Sequence, residues 1–189
     1  MKKSQRKSQD LHVSCSGSAR WIILASIAGL VIVTGWVAWE TRPSNMIFKK
    51  QAALITGIEK RSPSRIKRLL SEGYRDRWGF DRQDATEAVV DVGSQFLTLV
   101  LTSEEMNVVR VDDRATVTVL LRVGGKPIGP GGSEVTRRLN QLKTPFEFTW
   151  EKQSFLPASW RLVQIENVDL PENLYGYEPG DIRRAMQGE

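Results

Sequence analysis

An uncharged run of nineteen residues, from Trp21 to Trp39, constrains this chain more than any other part of its sequence. As an α-helix rising about 1.5 Å per residue, the run spans about 28 Å, close to the roughly 30 Å hydrocarbon core of a bilayer. A helix is expected because the bilayer interior offers no water to backbone amides. Trp21, Trp36 and Trp39 suit the two interfaces, where an indole N–H stays hydrated. The run therefore predicts a transmembrane helix over 21–39, with the lipid bilayer as a partner.

The charges on either side of the run predict its orientation. Residues 1–20 hold five basic side chains and one acidic one, whereas residues 40–189 hold 22 basic and 21 acidic ones. The positive-inside rule therefore places the N-terminus in the cytoplasm and the C-terminal domain outside it, across the inner (cytoplasmic) membrane. The run is longer than the apolar region of a cleaved signal peptide, and bulky Trp36 occupies the place of a small cleavage-site residue. We expect an uncleaved signal-anchor, preceded by a disordered basic tail over 1–20 and followed by a linker over 40–44.

The domain after the run lacks the side chains of several common active sites. The only cysteine and the only histidine, Cys15 and His12, both precede the run. This excludes a Ser/His/Asp triad, a cysteine nucleophile, a histidine-rich metal site and an internal disulfide from the domain. The nearly balanced charge of the domain also argues against nucleic-acid binding, which needs an excess of basic side chains. We expect no metal, no cofactor and no nucleic acid as a partner.

Hydrophobic periodicity predicts helices first and strands afterwards. Apolar residues at helical spacing predict helices from near 45, from Ser62-Pro63 to Gly73, and from 82 to about 94. Alternating residues predict strands over 97–111 with a bend at 103–105, and over 116–123, 146–151 and 160–168. Composition predicts a loop over 124–132, GGKPIGPGG, and a short helix over 133–143 follows. This order indicates an α+β domain over 45–170, followed by an irregular tail over 171–189.

Two segments carry a resemblance to a known family. Asp113-Arg114-Ala115-Thr116-Val117 forms a D-x-A-x-V turn, and Trp160-Arg161-Leu162 with Ile165 forms a W-R-L-x-x-I strand end. These motifs resemble the NTF2-like superfamily, whose cystatin-like fold is shared by SnoaL-type cyclases and ketosteroid isomerase. The resemblance covers about residues 45–170. It implies three N-terminal helices packed on a curved antiparallel sheet, with a cone-shaped pocket inside.

The resemblance makes four residues candidates for a ligand pocket, without assigning a catalytic one. Tyr74, Asp76 and Trp78 stand near the expected mouth, and Asp91 lies on the third helix. Each also has a structural interpretation: Tyr74 and Trp78 as core aromatics, Asp76 in a salt bridge with Arg75 or Arg77, and Asp91 as a solvated carboxylate off the apolar stripe. Phe148 and Trp150 are candidates for a homodimer interface on the sheet if they are exposed.

Two functions remain open from the sequence. The first is a non-catalytic binding or scaffold module held at the outer face of the membrane, with a second copy or a membrane complex as its partner. The alternative is a small-molecule enzyme or apolar-ligand binder of the isomerase, dehydratase or cyclase type, which needs an acid or base in a solvent-reachable cavity. The absence of histidine and cysteine from the domain favours the first. A third interpretation, a basic surface for anionic lipid or nucleic acid formed by Arg65, Lys67, Arg68, Arg75 and Arg77, is disfavoured by the neutral charge balance.

Overall fold

The computed structural model describes residues 27–33 and 43–187, which belong to two separate units. Residues 27–33 are helical, and their side chains are exposed within their own unit. The rest of the predicted membrane span, the tail over 1–20 and most of the linker lie outside the described residues. Among the helices that the structure describes, none is both long and apolar enough to cross a membrane.

Three helices precede the sheet in the second unit. They are α1 (Pro43–Glu59), α2 (Pro63–Leu69) and α3 (Arg82–Gly93). Helix α2 begins with a proline after Ser62, where the missing backbone N–H would have had no helical partner. Helix α3 begins with a capping box, because the carboxylate of Asp81 accepts from the N–H of Asp84 while the Asp84 carboxylate accepts from the N–H of Asp81. Asp81 is thus the N-cap residue of α3.

Four antiparallel strands form one sheet in the order β1-β2-β3-β4. The strands are β1 (Phe96–Val111), β2 (Arg114–Pro127), β3 (Phe146–Lys152) and β4 (Trp160–Glu166). Asp112 and Asp113 form the turn between β1 and β2, with Asp112 at a φ of 51°. Where the sequence predicted a bend, Glu105 has a φ of 52° in a β-bulge, and the strand continues beyond it.

The predicted loop over 124–132 is wrong. Residues 124–127 extend β2 and pair with β1, and helix α4 (Gly129–Gln141) begins immediately afterwards. Gly125 permits the pairing, because its φ is +109° and a Cβ there would overlap the carbonyl oxygen of Thr98. Pro130 lies in the first turn of α4, where a helix tolerates proline. Glycine and proline thus serve a close strand approach and a helix start, which composition alone does not distinguish from a loop.

The hydrophobic core lies between the helices and one face of the sheet. Its most buried members are Ile47, Leu54, Ile66, Tyr74, Ala115, Val117, Val119, Phe148, Trp150, Trp160 and Leu162. Phe148 and Trp150 are 2% and 0% exposed, because their face of β3 is covered by the helices. They therefore do not meet the condition of exposure on which their proposed interface role depended. Gln51 of α1 is also fully buried here, and its carbonyl oxygen accepts a 3.1 Å hydrogen bond from Nε1 of Trp150.

Candidate functional site

The segment after α2 runs along the outer edge of β4 and carries three of the predicted site residues. Ser71 N–H donates to the carbonyl of Leu162 at 2.8 Å, and Arg75 N–H donates to that of Val163 at 3.0 Å. Arg77 N–H then reaches the carbonyl of Ile165 at 3.2 Å. These bonds satisfy backbone groups that an edge strand would otherwise expose. They also fix the position of the turn that follows, residues 76–80.

Asp76 organises that turn from the inside. Its Oδ1 accepts hydrogen bonds from the backbone N–H groups of Trp78 at 3.0 Å and Phe80 at 2.9 Å. Its Oδ2 accepts the hydroxyl of Tyr74 at 3.3 Å, and both side chains are buried. The predicted salt bridge between Asp76 and a neighbouring arginine is not formed, since Arg77 lies 3.8 Å from Glu172 instead. The carboxylate therefore holds the backbone of two aromatic residues.

Burial changes the acidity of both members of this pair. Removal from water raises the pKa of the Asp76 carboxyl, although the N–H groups of Phe80 and Trp78 partly oppose that rise. Burial also raises the pKa of the Tyr74 hydroxyl, and the adjacent Asp76 carboxylate adds to the effect. Tyr74 therefore stays protonated and donates to Asp76 throughout the physiological range.

Asp91 is buried, so its interpretation as a solvated carboxylate is wrong. It is 1% exposed and caps the start of the C-terminal helix α5 (Asp181–Gln187). Its Oδ1 accepts the N–H of Arg183 at 2.9 Å, and its Oδ2 accepts the N–H of Ile182 at 3.1 Å. Oδ2 also accepts the hydroxyl of Tyr177 at 3.0 Å. Burial and the neighbouring Asp91 raise the pKa of that hydroxyl, which stays a donor.

A pocket of about 340 Å³ opens between the 76–80 turn and the C-terminal segment. It is lined by Trp78, Phe80, Glu172, Asn173, Leu174, Gly176, Tyr177 and Glu178. The rings of Phe80 and Tyr177 meet edge to face, with centroids 6.5 Å apart and planes at 71°. The Trp78 indole Nε1 is buried and has no hydrogen-bond partner among residues 43–187. The walls are thus aromatic, and two carboxylates, Glu172 and Glu178, are among the lining groups.

The structure divides the four predicted pocket residues by role. Trp78 lines the pocket directly. Asp76 and Asp91 lie behind its walls, since each holds lining residues through hydrogen bonds. Tyr74 supports Asp76 from the core. All four residues therefore contribute to the same region, but of the four only Trp78 is available to a ligand.

Several lining residues were missed by the sequence analysis because they come from the tail that it predicted to be irregular. Leu174 lies in a short 3₁₀ helix, Leu174–Gly176, and Tyr177 follows it. The aromatic pair Tyr175 and Tyr177 in the sequence was the one signal that this tail packs against the domain. Tyr175 is 60% exposed, and the guanidinium of Arg138 stacks on its ring at 3.9 Å. Only the second tyrosine of the pair lines the pocket.

The described residues offer no candidate metal centre, because no group of three or more histidine, cysteine or acidic side chains is clustered among them. The pocket also lacks a phosphate cradle, since the groups that line it are aromatic, apolar, amide and carboxylate.

Similarity to known proteins is found among solved structures. No family model and no curated protein matches the chain. Among solved structures, an NTF2-like protein from Cytophaga hutchinsonii is similar with a TM-score of 0.46 and 13% identity, over 65% of this chain and 93% of its own. An uncharacterised protein with a cystatin-like fold from Caulobacter vibrioides has a TM-score of 0.48 and 14% identity, over 67% and 91%.

A third similar structure is Bd1075 of Bdellovibrio bacteriovorus, with a TM-score of 0.48 and 11% identity. The match covers 64% of this chain and 39% of Bd1075, so the similarity concerns less than half of that protein. The similar proteins from Cytophaga hutchinsonii and Caulobacter vibrioides are described as NTF2-like and as having a cystatin-like fold, respectively. Identities of 11–14% carry no argument about the function of this chain.

Proposed function

We propose that this chain is a single-pass membrane protein whose α+β domain faces outside the cytoplasm and binds a ligand or partner without catalysis. The observation that carries the non-catalytic binding role is that protein donors occupy both buried carboxylates beside the pocket. Asp76 and Asp91 each accept three hydrogen bonds, and three of these six come from residues that line the pocket. They act as supports for a binding surface.

An enzyme of the isomerase, dehydratase or cyclase type would need a carboxylate able to take a proton from its substrate. Both oxygens of Asp76 and both oxygens of Asp91 already accept bonds from protein donors. The space between the helices and the sheet, where the resemblance implies a cone pocket, holds fully buried side chains such as Trp150 and Leu162. Glu172 and Glu178, which also line the pocket, are exposed to solvent and do not have the buried setting of such a base. These features favour binding over the catalytic alternative.

The lining of the pocket favours a ligand with an apolar body and a cationic group. Aromatic faces attract organic cations, an effect worth roughly 0.5–2 kcal/mol per contact. Trp78, Phe80 and Tyr177 supply such faces, and the carboxylate of Glu178 adds favourable charge. Either a small quaternary amine or a basic side chain of a partner protein has this chemistry.

The ligand class can be tested with two probes of equal shape, choline and its uncharged isostere 3,3-dimethylbutan-1-ol. Saturation-transfer NMR of the full chain in detergent would measure their binding. We expect choline to bind about tenfold more tightly, with Tyr177→Leu removing most of that preference. Tyr177→Phe keeps the ring, and Tyr175→Leu changes the neighbouring tyrosine outside the pocket, so both controls should retain it. Equal binding of the two probes would contradict the proposed ligand class.

The anchor and its orientation are tested separately. Resistance of the full chain to alkaline extraction from membranes should be lost when Val33→Asp places a charge in the apolar run. A reporter that is active only outside the cytoplasm, fused after Glu189, should be active. A silent reporter would overturn the proposed orientation, and extraction of the unmodified chain would overturn the anchor.

A further inference from the structure

One end of the domain can be identified from the direction of α1. Near the middle of α1, Gln51 bonds to Trp150, close to the end of β3. At its C-terminus, Glu59 Oε1 accepts the N–H of Leu101, in the first third of β1. The N-terminus of α1 therefore lies toward the end of the sheet that carries the 112–113 turn and the β3–β4 connection.

The β3–β4 connection, residues 153–159, is an ordered loop that exposes two large apolar side chains. Phe155 is 86% exposed and Leu156 is 54% exposed. Ser159 fixes the loop, because its hydroxyl lies within hydrogen-bond distance of two carbonyl oxygens, that of Ser154 at 2.8 Å and that of Leu156 at 2.7 Å, and donates its single proton to one of them. Ser159 Oγ also accepts the N–H of Ser154 at 3.1 Å. The loop geometry therefore keeps both apolar side chains exposed to water, which is unfavourable because of the hydrophobic effect.

Cationic side chains surround the base of this loop. Lys152 ends β3, Arg161 follows the first residue of β4, and the Arg110 guanidinium lies 5.7 Å from the Trp160 ring centroid. Burial and the nearby Arg161 lower the pKa of Lys50. Within residues 43–187, Lys50, Arg110 and Arg161 form no ion pair.

The acidic groups at this end are largely committed to other cations. Asp113 lies 3.8 Å from Lys152, and Glu151 pairs with Arg114. Asp112 is the remaining carboxylate of the turn. Lys50, Arg110 and Arg161 therefore have no carboxylate within ion-pair distance among residues 43–187 and are able to attract an external anion.

We propose that this end of the domain rests on an anionic lipid bilayer. We call it the tip surface, consisting of Phe155 and Leu156 with Lys50, Arg110, Lys152 and Arg161. Exposed apolar groups flanked by cations are the chemistry of an interfacial membrane contact, in which the apolar groups enter the headgroup region and the cations attract anionic lipid. The inference rests on the proposed anchor, because only residues 40–42 connect the predicted span to α1 and the chain enters the domain toward this end. That connection favours a bilayer over an acidic protein as the occupant.

The test places a fluorophore on the tip surface of the full chain. Cys15→Ser removes the native thiol, and Leu156→Cys introduces one for labelling. A second protein carries Val168→Cys, at a side chain that is 66% exposed beyond the opposite end of β4. Both are placed in phosphatidylcholine vesicles with or without phosphatidylglycerol, and quenching by doxyl-labelled lipid is measured.

In anionic vesicles we expect about threefold stronger quenching at 156 than at 168. Quenching at 156 should fall toward the level at 168 when Lys50→Gln and Arg161→Gln are added. It should fall in the same way when phosphatidylglycerol is omitted. Quenching at 156 that does not exceed that at 168 would overturn the proposal. Binding of polyglutamate at the 156 label, without quenching of that label by lipid, would also overturn the proposal. It would assign the tip surface to an acidic protein.

Flotation of the full chain with each kind of vesicle separates this proposal from that of the anchor. Flotation with neutral vesicles, together with no stronger quenching at 156 than at 168 in anionic vesicles, would refute the tip surface and leave the anchor standing. Flotation with anionic vesicles alone, accompanied by quenching at 156, would support the tip surface and refute the anchor. Failure to float with either kind would refute both.

Discussion

The hydroxyl of Tyr177 donates a 3.0 Å hydrogen bond to Oδ2 of Asp91, a residue 86 positions earlier in the chain. This bond joins the C-terminal segment to α3. The same carboxylate caps α5 through the N–H groups of Ile182 and Arg183. One buried side chain therefore positions both a wall of the pocket and the last helix of the domain.

Replacing that carboxylate should release the C-terminal segment. We expect Asp91→Ala to lower the free energy of unfolding by about 2 kcal/mol, because it removes the acceptor of three hydrogen bonds. Limited proteolysis should then cut within 171–187 faster than in the wild type. Tyr177→Phe removes one of the three bonds and should cost about 1 kcal/mol. Unchanged proteolysis of the Asp91→Ala protein would show that the segment is held by other contacts.

Two neighbouring glycines of β2 should differ sharply in their tolerance of alanine. Gly125→Ala should lower the free energy of unfolding by about 2 kcal/mol or more, because its φ is +109° and the new Cβ would overlap the Thr98 carbonyl. Gly124→Ala is the matched control, since a Cβ there would lie 4.0 Å from the Val100 carbonyl oxygen, an ordinary contact. Urea unfolding followed by circular dichroism would measure both. Equal effects would mean that β2 does not approach β1 so closely.

The stability of the domain should depend on the charge of Asp76 in a definite direction. Burial raises the folded-state pKa of this carboxyl, so the folded protein binds more protons than the unfolded chain between the two pKa values. The contribution of Asp76 is therefore fully present below its ordinary pKa of about 3.8 and is lost as pH rises through the raised value. The unfolding free energy of Asp76→Asn relative to the wild type should increase over that pH interval.

Asp81 provides a control of opposite sign for this pH dependence. The backbone N–H groups of Asp84 and Gln83 lower the pKa of its carboxyl. Its contribution to stability is present above the ordinary pKa and is lost as pH falls through the lowered value. Asp81→Asn should therefore lose stability relative to the wild type at neutral pH and match it in acid. Parallel pH profiles for the two variants would contradict these assignments.

The buried pair Gln51 and Trp150 should respond unequally to substitution. Trp150→Phe should cost about 3 kcal/mol, since it leaves a cavity and deprives the Gln51 carbonyl of its donor. Gln51→Leu should cost about 1 kcal/mol or less. It leaves the indole N–H without an acceptor, but it also removes an amide nitrogen that is buried without a partner among the described residues. A larger loss for Gln51→Leu than for Trp150→Phe, by chemical unfolding, would contradict this account.

Periodicity in the sequence was sufficient to predict the order of helices and strands and the α+β class. The apolar spacing of Ile47 and Leu54 and the alternation of Val117 and Val119 require those faces to be buried, wherever the partner surface lies. The capping role of Asp81 was likewise predictable, because an N-cap uses only residues within one helical turn. Local chemistry settles such features.

Tertiary structure alone decided the rest. From its position on α3, Asp91 is expected to be a surface carboxylate. It is buried because residues 177–183 pack against α3 and supply its hydrogen-bond donors. Gly124 to Pro127 have the composition of a loop, and only the pairing with β1 keeps them extended. The pocket joins Trp78 to Tyr177, 99 positions apart in the sequence. No periodic pattern encodes a contact over that separation, because it depends on where the C-terminal segment packs after the sheet has formed.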